Sequence, residues 1–348
     1  MKGIEIIGLG KALPKLRVKN DDLKQYIDTS DEWIKSRTGI EARFFCKDQE
    51  SLTDLGVLAA RRAIKDAGIH PDQIGLVIFA TCTTDYMVPS MACAVQELVG
   101  IPGGIPAFDI NAACSGFVYG LQLVNALMKE GNACMGQKPY ALLIGGEQLS
   151  KMLDFSERSV SVLFGDGAAA AVIHRSEEKA FYSHTAAKGD RSALYAHTVG
   201  RNQLPPMNSK GDRLVPSNPL QISKEESDQI LREGFLQMDG RKVFRFAVRA
   251  LSDEIREMEL QSGILAEDID YIVCHQANVR IIDYVRKKMG LPKEKFFLNL
   301  PSYGNTSGAS IPLALSDMKE EGLLKPGTKI FCVGFGAGLT WGGCFLEF

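Results

Sequence analysis

Residues 67–82 read AGIHPDQIGLVIFATC, and residues 262–277 read SGILAEDIDYIVCHQA. Each stretch contains a Gly-Ile pair, a short acidic turn, an isoleucine and then an apolar run. The glycine is typical of the end of a helix, and the apolar run is typical of a strand that is covered on both faces. The two stretches therefore predict the same helix–turn–strand unit, present twice in one chain.

Two further matches follow in the same order. Residues 105–121 contain a strand-like run, the sequence NAACSG and an apolar helix, and residues 296–315 repeat this order around YGNTSGAS. Residues 140–147 (YALLIGGE) correspond to residues 329–336 (KIFCVGFG), since both are apolar β-runs with glycines near the end. Ordered matches of this kind predict an α/β protein made of two duplicated halves related by a pseudo-two-fold axis. We place the two halves at residues 1–175 and 236–348, and the excursion that connects them at residues 176–235.

Composition excludes several classes of protein. The 348 residues are 45% hydrophobic and 24% charged, which is typical of a globular chain. The 40 basic and 42 acidic residues give a net charge of −2, so there is no global charge for nucleic acid binding. No apolar run approaches the ~18 residues of a membrane span. The eight cysteines include no C-x-x-C pair, which argues against a metal cluster or a disulfide framework and favours the cytoplasm.

Three residues at the ends of predicted strands are candidates for catalysis. Cys114 follows a strand and opens an apolar helix, where unpaired N–H groups are expected to lower its pKa and favour the nucleophilic thiolate. His275 follows the buried run of the second repeat, at the sheet edge where α/β proteins place ligand chemistry. Asn305 lies in the turn that corresponds to the Cys114 turn, so the pseudo-symmetry would bring all three together. Considered alone, each residue also fits a purely structural role: Cys114 as an inert buried cysteine, His275 as a core histidine and Asn305 as a turn asparagine.

Glycines at 334, 336 and 338 form a G-x-G-x-G loop. The loop lacks the G-x-G-x-x-G spacing and the following βαβ unit of a dinucleotide site, which argues against a dehydrogenase. A tight glycine turn instead presents backbone N–H groups, which an oxyanion hole requires.

Two sets of basic residues flank the candidate site. Trp33 and Arg37 share one face of a short helix, a pairing that suits a stacked purine with phosphates or, alternatively, a core edge covered by the indole. A second set lies on two helices and could recruit an acidic partner or simply form solvated helix faces. Its members are Arg241, Arg245, Arg249, Arg280, Arg286, Lys287 and Lys288.

These motifs together resemble 3-oxoacyl-[acyl-carrier-protein] synthase III, the thiolase-fold condensing enzyme that starts bacterial type II fatty acid synthesis. The resemblance covers almost the whole chain. It rests on six ordered runs: DTSDEWIKSRTGIEAR (28–43), AACSGFVYGL (112–121), LFGDGAAAAV (163–172), CHQANVRII (274–282), YGNTSGASIPLAL (303–315) and GFGAGLTWG (334–342). It implies a five-layered αβαβα fold and a homodimer.

The resemblance also implies roles for single residues. Cys114 would accept the starter acyl group, expected to be acetyl, from coenzyme A, and His275 and Asn305 would stabilise the enolate left when malonyl-acyl carrier protein loses CO2. The N–H groups of Cys114 and Ala337 would bind the oxyanion, and Val88 would line the acyl pocket at the dimer interface. The residues that would bind coenzyme A are Trp33, Arg37, Arg158 and Asn278. The residues that would dock acyl carrier protein are Arg245, Arg280 and Lys288. Coenzyme A would be a substrate, with no resident cofactor or metal and no nucleic acid or membrane partner.

Three alternatives remain at this point. A ketosynthase or acyltransferase of secondary metabolism would use the same template. An enzyme similar to hydroxymethylglutaryl-coenzyme A synthase needs a glutamate base after the strand that ends at Ala80-Thr81, where this chain has Cys82 and no acid before Asp85. A non-catalytic coenzyme A-binding protein would tolerate loss of the thiol, the imidazole or the amide, and all three are present. The length of the starter chain and the role of the excursion stay open.

Overall fold

The computed structural model describes residues 3–129, 135, 138–196 and 234–348, so most of the predicted excursion lies outside the described residues. The first part of the chain forms β1 (Gly3–Ala12), β2 (Leu16–Lys19), α1 (Asp31–Thr38), β3 (Ala42–Phe45), α2 (Leu52–Ala67), β4 (Ile74–Ala80), α3 (Met91–Val99), β5 (Ala107–Ile110), α4 (Gly116–Lys129), β6 (Tyr140–Glu147), α5 (Arg158–Ser161) and β7 (Gly167–Ser176). The second part forms β8 (Tyr182–Asp190), β9 (Leu194–Tyr195), β10 (Gln237–Met238), α6 (Gly240–Ser262), β11 (Tyr271–Cys274), α7 (Val279–Met289), α8 (Leu300–Tyr303), α9 (Ser310–Glu320), β12 (Lys329–Gly336) and β13 (Gly338–Glu347).

Two sheets with the same internal order confirm the duplication. The first sheet has the order β1-β7-β6-β4-β5, and the second has the order β8-β13-β12-β11. In both sheets the two corresponding β-runs are parallel, β4 with β6 and β11 with β12. The two pairs that follow toward β1 and β8 are antiparallel, and β5 adds to β4 in parallel. An isolated parallel bridge from Ile272 to Phe296 stands where β5 stands in the first sheet.

The second sheet begins earlier in the chain than the predicted boundary. Strand β8 pairs with β13 along residues 182–190, inside the segment predicted as a connecting excursion. Its residues are only partly buried, because it is the edge strand of its sheet, and this explains why its sequence lacks a clear apolar pattern. The structural repeat therefore includes this strand, as β1 is included in the first half.

Three apolar clusters define five layers and confirm the predicted αβαβα arrangement. The central cluster joins α4 and α9 to the inner faces of both sheets. Two outer clusters join α2 and α3 to the first sheet, and α6 and α7 to the second. Because α4 and α9 are covered by a sheet on each side, they are apolar around most of their circumference. None of the helices in the described part of the chain combines the length and the apolar character that a bilayer crossing requires.

The two strand-to-helix turns of the repeat meet at the centre of the molecule. Each is a single 3₁₀ turn, at Ala113–Ser115 before α4 and at Ser307–Ala309 before α9. The first residue of each turn has a positive φ although it is not glycine, 46° at Ala113 and 47° at Ser307. Such angles cost of order 1–3 kcal/mol and persist only where the surroundings enforce them. The matching φ angles show that the two turns correspond residue by residue, with Ala113 equivalent to Ser307.

Close backbone approach at this centre yields a prediction. A Cβ on Gly145 of β6 would lie 2.4 Å from the carbonyl oxygen of Gly308, so we expect Gly145→Ala to push the first sheet away from the second turn. Overpacking of this kind costs roughly 1–3 kcal/mol of unfolding free energy, measurable as a lower urea midpoint. Gly189→Ala is the matched control, because nothing lies within 4 Å of its Cβ position. Equal midpoints for the two variants would contradict the packing described.

Candidate active site

Cys114 sits in the turn between β5 and α4, with its side chain only 6% exposed. The turn is held by two hydroxyl groups, one from the turn itself and one from β13. Ser115 Oγ donates to the oxygen of Ala112 at 2.8 Å, and Thr340 Oγ1 donates to the same oxygen at 2.9 Å. These contacts fix the backbone on either side of the thiol.

The predicted lowering of the Cys114 pKa is wrong for this structure. The pKa of the thiol is raised to about 12. Burial is the largest cause and the nearby charge of Glu147 also raises the pKa, whereas a hydrogen bond from Ser307 and the residue's own N–H lower it. The spacing correctly places the sulfur beside a helix start, but desolvation of a thiolate outweighs the stabilisation by N–H groups there. Cys114 is therefore a thiol in the unliganded site.

His275 follows β11, as predicted, and is 1% exposed. Its backbone N–H donates to the oxygen of Val333 at 2.8 Å, and its ring packs edge-on against Phe335 with 5.2 Å between centroids. Nδ1 lies 2.7 Å from Ser310 Oγ, which already accepts from the N–H of Gln276 at 3.2 Å. The Ser310 hydroxyl is thus free to donate to Nδ1, which leaves the proton of the neutral ring on Nε2.

Burial lowers the pKa of His275 to about 3. The imidazole is consequently neutral over the physiological range, because no carboxylate among the described residues offsets the cost of burying its charge. A neutral ring with its proton on Nε2 is a hydrogen-bond donor rather than a proton donor.

Asn305 is held as tightly as the other two. Its backbone N–H donates to Leu163 at 2.8 Å, and its oxygen accepts from Gly165 at 3.0 Å. The side-chain Oδ1 accepts from the N–H of Ser307 at 2.9 Å. Within the described residues Nδ2 has no hydrogen-bond partner, so the amide N–H groups are available to a ligand.

One cavity of about 300 Å³ brings the three side chains together. Cys114, His275 and Asn305 line its inner end, and Trp33 and Arg37 line its mouth. Its wall is mostly apolar, and among the described residues no aspartate or glutamate lines it. The cavity therefore combines a nucleophile and neutral donors at its base with a basic, aromatic entrance.

The glycine loop at 334–338 packs directly on the nucleophile. A Cβ on Gly336 would lie 2.6 Å from the Cys114 nitrogen, and Thr340 Oγ1 donates to the oxygen of Ala337 at 3.0 Å. The loop and the Cys114 turn are thus one rigid unit. Oxyanion binding by the N–H groups of Cys114 and Ala337 remains a prediction that this contact supports.

The predicted coenzyme A residues surround the cavity mouth. The guanidinium carbons of Arg37 and Arg158 lie 5.1 Å and 4.4 Å from the centroid of the Trp33 ring. Asn278 caps α7 by accepting from Arg280 N–H at 2.9 Å, and its Nδ2 donates to the oxygen of Arg37 at 3.2 Å. Arg158 itself does not line the cavity, but its neighbour Ser159 does.

The predicted docking residues lie on the two outer helices beside this mouth. Arg245 is exposed on α6, and Arg280 and Lys288 are exposed on α7. The helices contact each other near the mouth through the rings of Phe244 and Tyr284, whose centroids are 6.0 Å apart.

Val88 does not line the cavity of its own chain. It is 84% exposed, next to Met87 at 82% exposed. These two side chains form an exposed apolar pair, and the predicted place of Val88 in an acyl pocket across a dimer interface stays a prediction.

Sequence analysis missed two residues behind the thiol. Glu147 ends β6, is fully buried and contacts Cys82, so a carboxylate does stand near the position where the sequence suggested none. It comes from the neighbouring strand and does not line the cavity. Ser307 donates to it at 3.1 Å. The signal was present, since an acid that closes an apolar β-run is unusual.

Family models match both halves of the chain. The model described as 3-oxoacyl-[acyl-carrier-protein (ACP)] synthase III matches residues 108–189, and the model of its C-terminal part matches residues 260–348. The first match includes Cys114, and the second includes His275 and Asn305.

Full-length relatives agree with these matches. Beta-ketoacyl-[acyl-carrier-protein] synthase III of Clostridium perfringens is 44% identical over 347 residues, with 100% of each chain covered. The enzyme of the same name from Clostridium acetobutylicum is 43% identical, with 100% of this chain and 99% of the relative covered. The crystal structure of 3-oxoacyl-[acyl-carrier-protein] synthase III from Aquifex aeolicus has a TM-score of 0.85 at 38% identity, with 99% of this chain and 100% of that chain covered. The chain therefore belongs to the 3-oxoacyl-[acyl-carrier-protein] synthase III family.

Proposed function

We propose that this protein condenses a starter acyl-coenzyme A with malonyl-acyl carrier protein, giving 3-oxoacyl-acyl carrier protein, CO2 and coenzyme A, and so initiates fatty acid synthesis. The observation that carries the proposal is the convergence of Cys114, His275 and Asn305 in one cavity with an aromatic and basic mouth. Membership of the family supports it independently. We propose acetyl as the starter, a homodimer as the working form and the cytoplasm as the compartment.

In the first half-reaction the Cys114 sulfur attacks the carbonyl carbon of the acyl thioester, and coenzyme A leaves. The developing oxyanion would be held by the N–H groups of Cys114 and Ala337. Because the loop at 334–338 is packed on the Cys114 turn, these donors need no rearrangement when charge appears. The product is an acyl-Cys114 intermediate in a ping-pong cycle.

In the second half-reaction malonyl loses CO2 and leaves an enolate. No strong base is required, because decarboxylation itself releases the electron pair. The reaction needs donors where the enolate oxygen forms, and Nε2 of neutral His275 and Nδ2 of Asn305 can supply them. Loss of one such donor typically costs about 3 kcal/mol of transition-state stabilisation.

The cavity mouth is suited to the adenine nucleotide of coenzyme A. A purine could stack on Trp33 where a guanidinium now lies, and Arg37 and Arg158 would then meet phosphates. Asn278 would line the path of the pantetheine arm. Coenzyme A would thus enter as a substrate, with no resident cofactor or metal.

The alternatives are less well supported. An enzyme similar to hydroxymethylglutaryl-coenzyme A synthase needs a carboxylate that faces the acyl group, and no carboxylate of the described residues lines the cavity. A non-catalytic coenzyme A-binding protein would not require a neutral, buried imidazole held by Ser310. No observation favours a role in secondary metabolism over the initiating role.

The first functional prediction concerns the acyl-enzyme. We expect acetyl-coenzyme A to add one acetyl group to Cys114 in the wild type, in His275→Ala and in Asn305→Ala, and none to Cys114→Ala. The histidine and asparagine variants should lose condensation by ~10²–10³-fold, since each removes one enolate donor. Intact-protein mass spectrometry measures the first effect and product formation the second. An unmodified Cys114 in the wild type would contradict the proposed function.

The second prediction follows from the low pKa of His275. Its imidazole is neutral above about pH 3, well below its ordinary pKa of 6.5, so lowering the pH from about 7 to about 5 should not protonate it. We expect release of CO2 from malonyl-acyl carrier protein on pre-acetylated enzyme to stay constant over this range. A change of rate that fits a single group near 6.5 and disappears in His275→Gln would show that the ring titrates normally.

The third prediction concerns docking. Reversal of charge in Arg280→Glu should raise KM for malonyl-acyl carrier protein by roughly 5- to 10-fold and leave KM for acetyl-coenzyme A nearly unchanged. Arg17→Glu, an exposed arginine on β2, is the matched control and should alter neither constant. Equal increases for both substrates in Arg280→Glu would remove the proposed docking role.

A further inference from the structure

Glu147 is a buried carboxyl group that the reaction described above does not use. It is 0% exposed, and burial raises its pKa. Thr83 Oγ1 donates to Oε2 at 2.6 Å, Thr81 Oγ1 donates at 3.1 Å, and the Cys82 N–H donates at 3.2 Å. In the described part of the chain, no lysine, arginine or histidine contacts it. A carboxylate that has only neutral donors around it is protonated more easily than one with a cationic partner.

Ser307 connects this carboxyl group to the nucleophile. Its Oγ donates to Glu147 Oε1 at 3.1 Å, and interaction with the same side chain lowers the pKa of the Cys114 thiol. Ser307 is 2% exposed and is the residue with the positive φ of 47°, so the fold enforces its placement between the two groups. The Ser307 hydroxyl thus interacts with both the thiol and the carboxylate.

We propose that Glu147 stores the Cys114 proton during the catalytic cycle and that Ser307 relays it. This inference rests on the proposed function for its substrates. As the Cys114 sulfur bonds to the acyl carbon, its S–H bond breaks and the proton passes to Ser307 Oγ, whose own proton passes to Glu147 Oε1. Coenzyme A leaves as a thiolate and takes up a proton from solvent.

The stored proton returns in the second half-reaction. Loss of CO2 from malonyl leaves a carbanion that attacks acyl-Cys114, and collapse of the adduct expels the cysteine thiolate. Glu147 then gives its proton back through Ser307 to the sulfur, which restores the thiol and the carboxylate. Each half-reaction balances, and the Cys114–Glu147 pair carries a single negative charge in the resting enzyme and none in the acyl-enzyme.

The relay addresses a difficulty that the geometry creates. Burial raises the pKa of both Cys114 and Glu147, and each negative charge raises the pKa of the other, so two charges in this pocket would be costly. His275 is not suited to accept the proton, since its pKa is lowered to about 3. Transfer within the buried pair lets the sulfur become a nucleophile without adding charge to a dry site.

The test is the number of protons exchanged with solvent when Cys114 is modified. Acetylation by acetyl-coenzyme A should take up about one proton per coenzyme A released near pH 7 if Glu147 keeps the thiol proton, and Glu147→Gln should take up almost none. A resting thiolate would instead give the same uptake in both proteins. Calorimetry in buffers of different ionisation enthalpy gives the number, and an infrared carboxylic acid band that appears on acetylation identifies the store.

Matched variants separate the relay from general damage. Ser307→Ala should slow acetylation at least tenfold, while Ser316→Ala, which removes a buried hydroxyl bonded to Pro312, should not. Glu254→Gln, which alters a different buried carboxyl group bonded to His184, should keep the wild-type proton uptake. If Glu147→Gln does not fold, the proposal is tested by the infrared band and the proton uptake of the wild type. Absence of either one overturns the proposal.

A second probe distinguishes failure of the relay from failure of the proposed function. Alkylation of Cys114 by iodoacetamide, taken as the difference from Cys114→Ala, releases one proton to solvent unless a protein group keeps it. We expect release well below one in the wild type and near one in Glu147→Gln. If acetyl-coenzyme A does not acylate Cys114 but this difference is seen, the proposed function fails and the relay stands; full release in the wild type overturns the relay.

Discussion

The close packing of two backbone turns at the centre of the molecule is the constraint on which the rest of the structure depends. Gly308 meets the first sheet at Gly145, and Gly336 meets the nitrogen of Cys114, at distances that leave no room for a side chain. The helices that follow the turns are consequently sandwiched between the sheets. Because the turns touch, the thiol of one half and the amide of the other face a single cavity.

This packing also determines the electrostatics of the site. Water is excluded from the turns, so desolvation raises the pKa of Cys114 and Glu147 and lowers that of His275. All three shifts favour the neutral forms, which is the expected effect of burial without counter-charges. The donors that would face an enolate are then fixed dipoles rather than ions, and they act strongly because no solvent competes with them. The positive charges lie at the entrance, where Arg37 and Arg158 flank Trp33.

Sequence patterns predicted the duplication, the layers and the meeting of Cys114, His275 and Asn305. Repeated β-runs and glycine turns can be recognised locally in the sequence, and the topology of the duplicated fold then determines where the residues that follow them lie. They failed where the outcome depends on surroundings. The helix start beside Cys114 was visible, but the dryness of the site was not, so the direction of the pKa change was wrong. Strand β8 was missed because an edge strand need not be apolar. The partners of Glu147 come from two separate segments, residues 81–83 and Ser307, which no spacing rule connects.

The alignment of the two turns explains how the chemistry is divided between the halves. Structural equivalence pairs Cys114 with Gly308, Ser307 with Ala113, His275 with Ala80, and Glu147 with Gly336. In every pair one member carries a reactive group and the other carries no side chain or a single methyl. Near a pseudo-two-fold axis equivalent side chains lie close together, and a Cβ at Gly336 would lie only 2.6 Å from the Cys114 nitrogen. Duplication thus supplied two similar turns, and at each of these four pairs of positions only one half carries the reactive group.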